Sequence, residues 1–159
     1  MIDAPLPGIG DWDKIKQSPL LWHFNFRGPD MERLVAGRER IYLDRFYNEL
    51  SADPRKIDEE TRDHYARLYA QPRAMHDAFE QFAAFNQDAL DNQTLLAAGG
   101  KLNMPVLAVG GEKSAGTGQA DILRFVATNV TARIVPNSGH WIMEENPEAT
   151  TVLITDFLK

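Results

Sequence analysis

Residues 104–111 read Met104-Pro105-Val106-Leu107-Ala108-Val109-Gly110-Gly111, an unbroken apolar run of strand length closed by two glycines. A strand with one wet face alternates apolar and polar residues. A continuous run is covered on both faces, the habit of parallel strands in α/β proteins. Downstream, residues 118–128 carry a helical pattern, Thr131 to Pro136 reads as a second strand, and Asn137-Ser138-Gly139-His140-Trp141 reads as a loop. Asn146-Pro147 then supplies an N-cap and a first-turn proline for a last helix reaching Leu158. Strand–helix–strand–helix is a parallel crossover unit, so the fold class is α/β. Two strands cannot build a parallel sheet with helices on both faces, so further polypeptide upstream of Met1 is expected to complete it.

Upstream of this unit the chain is helical. Met1 to Gly10, short, apolar and rich in Pro and Gly, reads as a strand end running into a loop. An aromatic segment, Leu20-Leu21-Trp22-His23-Phe24-Asn25-Phe26, leads to Asp30, a good N-cap for one long helix predicted to end near Ser51. A second helix is predicted from Asp58 to Ala70, with acids in its first turn. A third follows Pro72 through residues 73–98, with Met75, Phe79, Phe82, Phe85, Ala89 and Leu90 as its apolar stripe and Gly99-Gly100 as its stop. There are no repeats or low-complexity segments, and the composition shifts only near Gly99 to Asn103.

Composition narrows the function. The 159 residues are 43% hydrophobic and 25% charged, ordinary for a globular domain. A net charge of −6, with Lys and Arg dispersed among acids, argues against a nucleic-acid partner. No apolar run reaches membrane-span length and there is no signal-like N-terminus, so no membrane partner is expected and the cytoplasm is the expected location. The absence of cysteine removes disulfides and cysteine-based zinc sites and fits a reducing compartment. No cofactor and no metal site are expected.

His140 is the strongest chemical candidate. It lies just past the carboxyl end of a predicted parallel strand, where ligands and catalytic groups gather in open α/β sheets. The alternative is a histidine that caps the last helix or packs beside Trp141. His64 and His76 lie on charged helix surfaces without partners at metal-ligand spacing and are expected to be solvated. Gly110 to Gly118 lacks the Gly-Lys-Ser/Thr order of a phosphate loop. A G-x-S-x-G or G-x-D-x-G elbow, which would expose a nucleophile between strand and helix, occurs nowhere in the sequence.

The stretch Ser138-Gly139-His140-Trp141-Ile142-Met143-Glu144-Glu145-Asn146-Pro147-Glu148, with the helix ending Asp156-Phe157-Leu158, resembles the C-terminal signature of α/β-hydrolases of the epoxide hydrolase and haloacid dehalogenase group. The resemblance spans essentially the whole chain. Its most specific parts are the His140 loop, the Leu21-Trp22-His23-Phe24 motif, and the strand ending Gly110-Gly111-Glu112-Lys113-Ser114. It implies that residues 1–10 are the end of a core strand and a hinge loop, 11–100 a helical cap, and 101–159 a C-terminal core unit carrying the catalytic histidine. His140 would be the general base of a nucleophile–histidine–acid triad.

The triad acid has two candidates under this resemblance. Ser114 stands where many members carry the acid, which leaves Glu112 in the same loop or Asp3 after the preceding core strand. Asp3 is favoured, as the acceptor for His140 Nδ1–H, over a reading of Asp3 as a frayed terminal residue. Trp22, His23, Phe82, Phe85 and Trp141 are implied to line a mostly apolar substrate pocket, with His23 holding a leaving group or an epoxide oxygen. The bland alternative for His23 is an organising role in an aromatic cluster. Phe82 stands where the resemblance implies tyrosine, and phenylalanine has no hydroxyl to protonate an opening epoxide.

The expectation is therefore a piece of an α/β-hydrolase, with Met1 internal to the intact enzyme. That enzyme would hydrolyse a small apolar epoxide, haloacid or ester, and the chain alone would be inactive. The competing reading is a non-catalytic binding or self-assembly module, with self-association through the incomplete sheet.

Overall fold

The computed structural model describes residues 1–159. The carboxyl-terminal unit forms as its pattern dictates. Strand β1 (Leu102–Gly111) pairs in parallel with β2 (Ala127–Val135), in a register that sets Val106 beside Val130 and Gly111 beside Val135. Nine helices are labelled α1–α9 in chain order. Helix α7 (Gly118–Val126) makes the crossover, and Ala120 and Leu123 pack on Ala108. The first three residues join the other edge of β1: Ile2 bridges Val109 in parallel, and Asp3 N–H donates to the Val109 carbonyl at 2.8 Å.

The N-terminal half of β1 is exposed and its last four residues are buried. Core density therefore rises toward the carboxyl tips of the strands. Val109, Val135 and Ile142 form one apolar cluster there. Leu102, Met104 and Ile134 remain exposed, and only 26 of the 159 residues are buried, so the apolar contacts fall into small separate clusters. The architecture is a two-stranded parallel sheet preceded by a helical segment.

That segment runs α1 (Trp12–Lys16), a 3-10 stretch (Pro19–Asn25), α2 (Pro29–Val35), α3 (Glu39–Leu50), a 3-10 turn (Pro54–Lys56), α4 (Glu59–Tyr69), α5 (Ala74–Ala83) and α6 (Phe85–Gly99). The single helix expected from Asp30 to Ser51 is two helices. Gly37 takes φ +75°, a left-handed value that only glycine adopts without strain, and the chain turns there. Asp30 is not the cap: Gly28 holds that position, Pro29 is the first helical residue, and Asp30 accepts instead from Arg33. The helix expected over 73–98 also bends, at Ala84, with no Pro or Gly to announce it; Phe82 and Phe85 on either side meet edge to face.

The second helix starts as read, with the Asp58 carboxylate accepting from Thr61 N–H. In the core unit, α7 ends at Val126 and β2 begins at Ala127, because the β-branched run Thr128, Val130, Thr131 continues the strand backwards from the expected Thr131. A four-residue helix α8 (Ile142–Glu145) follows the His140 loop. The last helix, α9 (Pro147–Phe157), is capped by the Asn146 side chain on Ala149 N–H. No helix is long and apolar enough to cross a membrane.

Candidate active site

Three segments meet at the carboxyl tips of the strands: residues 1–4, the loop after β1, and the loop after β2. Asp3 is buried and sits at φ +39°, outside the usual range for a side-chain-bearing residue. Asp tolerates such conformations better than most residues, and strained backbone that persists is held by its surroundings. Here the surroundings are the β1 pairing and four donors. Gly111 N–H (2.5 Å) and Ala115 N–H (3.3 Å) reach Oδ2, while Ser114 Oγ (2.6 Å) and His140 Nδ1 (2.9 Å) reach Oδ1. Gln119, fully buried on α7, accepts from Ala4 N–H at 2.8 Å and fixes the chain as it leaves the site.

Burial alone would push the Asp3 carboxyl up. The hydrogen bonds from His140, Ser114 and Gly111 outweigh it and hold Asp3 below the usual carboxylate range. An ionised carboxylate only accepts, so Nδ1 of His140 is the protonated nitrogen and Nε2 of the neutral ring is a proton acceptor. Glu112, the other candidate acid, is exposed and accepts from Asn137 N–H at 2.8 Å and from Lys113. The geometry thus puts Asp3, not Glu112, on the histidine.

The His140 loop is itself fastened. Asn137 turns at φ +54°, Ser138 is fully buried, and Lys113 N–H donates to the Ser138 carbonyl at 2.9 Å. His140 N–H donates to the Leu50 carbonyl at 2.8 Å, which ties the loop to the end of α3.

The five residues expected to line a pocket do not share one cavity. His23 is buried in a cage of aromatic rings, with centroids of Phe24, Phe46 and Phe82 at 4.7, 4.8 and 5.1 Å and Trp22 at 5.8 Å. Burial, and then repulsion from His140 when that ring is protonated, push His23 down to about 4, so it is neutral at pH 7. Its Nδ1 is buried with no protein partner. Trp141 touches the His140 ring at 4.8 Å and, with Phe82, lines a cavity of about 300 Å³ walled also by Tyr42, Phe46, Tyr47 and Tyr65. Glu144 and Gln81 are its two lining residues other than hydrophobic ones. Phe85 faces away from it, into a separate space of about 250 Å³ shared with Phe24 and Phe82 and bordered by Lys16 and Arg27.

Sequence reading missed three contributors. Ser114 stood out only as the residue replacing an acid, yet its hydroxyl binds the Asp3 carboxylate. Gln119, which holds Ala4, and Glu145, whose carboxylate accepts from Gly139 N–H, sit among other polar residues and had no signal in the sequence. His76, expected to be solvated, lies 2.9 Å from Glu32 through Nδ1. No three His, Cys, Asp or Glu side chains are grouped closely enough to share an ion.

A parallel sheet carrying a histidine–carboxylate pair at its carboxyl tips, preceded by a helical segment with an aromatic interior, has the architecture of half of an α/β-hydrolase fold. It is homologous to epoxide hydrolases. Over 154 residues it is 30% identical to a soluble epoxide hydrolase from Corynebacterium sp. (strain C12), a match covering 90% of this chain and 52% of that enzyme. Among solved structures it is 32% identical to Cfl2 from Burkholderia cenocepacia, with a TM-score of 0.89 over 99% of this chain and 55% of that one. The Cif epoxide hydrolase from Acinetobacter nosocomialis, at 24% identity and a TM-score of 0.87, shares the fold over 99% of this chain and 52% of its own. The chain spans about half the length of the relatives it matches. No family model matches it.

Proposed function

We propose that this chain supplies the histidine–acid pair and the substrate-facing cap of an epoxide-hydrolase-like enzyme that hydrolyses a small apolar substrate. The observation that carries the reading is the 2.9 Å contact between Asp3 Oδ1 and His140 Nδ1 at the tips of parallel strands. Asp3 fixes the tautomer and favours the imidazolium that forms when Nε2 takes a proton from water or from a nucleophile. None of these 159 residues offers a nucleophile on an elbow, so the attacking group comes from polypeptide that completes the sheet. The aromatic cavity beside Trp141 suits an apolar substrate body; His23 packs on Phe46 and Phe82 behind that wall, with a neutral ring whose Nδ1 has no protein partner.

Two assays test this. The chain alone is expected to leave epoxides, haloacids and activated esters intact. A chimera with the first half of the Burkholderia relative joined ahead of Met1 is expected to hydrolyse an epoxide, and His140→Ala to remove at least about a thousandfold of that rate. A His140→Ala chimera that kept full activity would refute the assignment.

A further inference from the structure

Glu145 is a buried acid that the proposed chemistry does not use. At 3% exposure its carboxylate lies where an ion is costly unless it is fully hydrogen-bonded. It is satisfied by backbone alone. Oε1 accepts from Ala52 N–H at 2.7 Å and Asp53 N–H at 3.0 Å, and Oε2 accepts from Gly139 N–H at 2.8 Å. The first two donors belong to the turn that ends α3; the third is the residue before His140. One side chain therefore grips the helical segment with one oxygen and the histidine loop with the other.

Neighbouring contacts reinforce the same junction. His140 N–H donates to Leu50, and Lys56 Nζ donates to the Glu145 carbonyl at 2.7 Å. At Gly139 a Cβ would overlap the Leu50 carbonyl and the Ala52 nitrogen, so the two backbones approach as closely as glycine permits. Helix α3, which ends at this turn, carries Tyr42, Phe46 and Tyr47 into the aromatic cavity.

We propose that Glu145 is a positioning residue that fixes His140 relative to the aromatic wall of α3 by bridging Gly139 to the 52–53 turn. Its functional meaning rests on the reading of His140 as the base, but its geometry does not. Backbone N–H groups are the partners, so the requirement is for an acceptor-only side chain with two oxygens at this reach. Glutamine keeps the shape and presents an NH2 to one of the two donor sets. The substitution therefore severs one side of the bridge without opening a cavity.

NMR on the 159-residue chain provides the test. In Glu145→Gln, with cooperative unfolding retained, amide exchange at Gly139 is expected to quicken about tenfold or more, and the downfield proton of His140 Nδ1 to disappear as its contact with Asp3 loosens. Lys56→Met, which removes a donor from the same junction without touching the carboxylate, is expected to keep that proton. A folded Glu145→Gln chain with an unchanged His140 proton overturns the proposal. If Glu145→Gln does not fold, exchange in the unmodified chain decides. A common slow rate for amides 52, 53 and 139 supports the bridge, and rates differing by more than about tenfold overturn it. Absence of the downfield proton from the unmodified chain would count against the Asp3–His140 pair rather than the bridge, which the amide rates then judge.

Discussion

Two histidines lie near one another in this molecule, and their surroundings differ in every respect that sets a proton's fate. His140 is half-exposed, sits on a loop pinned at both sides, and gives its Nδ1 proton to a buried carboxylate that has three other donors. His23 is buried among aromatic rings with no carboxylate beside it, and is pushed down to about 4. The same imidazole is thus held once as the hydrogen-bonded partner of a carboxylate and once as a neutral dipole. The difference arises from which chain segments fold over each ring: strand tips with free N–H groups in one case, aromatic helix faces in the other.

Asp3→Asn strikes the His140 side hardest. Asparagine presents an amide NH2 as readily as a carbonyl and carries no charge, so the ring loses both its tautomer control and the counter-charge for imidazolium. In a completed enzyme the expected loss in kcat is about a thousandfold to ten-thousandfold. In the chain itself, thermal unfolding at pH 7 should show a loss of roughly 1–3 kcal/mol, as the donors of Gly111, Ser114 and Ala115 face a weaker acceptor. The sign of the pH effect follows from the depressed carboxyl: its stabilisation is complete above the unfolded value of 3.8 and is lost as pH falls through the lower folded value. Asp3→Asn should therefore flatten the most acidic part of the unfolding profile. An unchanged profile below pH 4 would show that Asp3 is not held as described.

His23→Phe sharpens the other side of the comparison, and in a different pH window. The unfolded chain takes up a proton near 6.5 and the folded chain only near 4, so the unfolded state holds more protons between these values. Stability should fall as pH drops through that interval, by at most roughly 3 kcal/mol. Phenylalanine fills a similar volume in the aromatic cage and cannot charge. The variant should lose the slope between pH 6.5 and 4 while keeping the acid limb that Asp3 contributes. Urea unfolding at pH 7 and pH 4.5 measures the effect; an equal pH 7 to 4.5 loss in both proteins would show that His23 is not held neutral by its cage.

The two regions were unequally legible in the sequence. His140 could be found because the Met104–Gly111 run fixes a buried parallel strand, and a histidine two loops later must fall at the strand tips. Asp3 was reachable only through family resemblance, since no local pattern distinguishes a buried acid from a frayed terminus three residues into a chain. The helical segment is legible in type but not in continuity: Gly37 is a visible breaker, whereas the bend at Ala84 has no local signature. Its aromatic residues could be picked out as apolar, but which cavity each would face depends on helix directions that periodicity does not supply. Phe85 turns into a different space from Trp141 for that reason. The backbone donors on Asp3 and Glu145 were invisible, because N–H groups carry no letter in a sequence.

Ser114→Ala is the mildest change and separates two ways of holding the carboxylate. The hydroxyl shares Oδ1 with His140, while Oδ2 is already gripped by two backbone N–H groups that no substitution at 114 removes. Loss of the hydroxyl should therefore leave the carboxylate facing His140 and cost only about 1 kcal/mol, the usual worth of one hydrogen bond. One of the groups that lower the Asp3 carboxyl would be gone, so the acid limb should move to higher pH. In a completed enzyme the rate should fall less than about tenfold, because the Asp3–His140 contact persists. A loss as large as that of Asp3→Asn would mean that the serine, and not the Gly111 and Ala115 amides, aims the carboxylate at the ring.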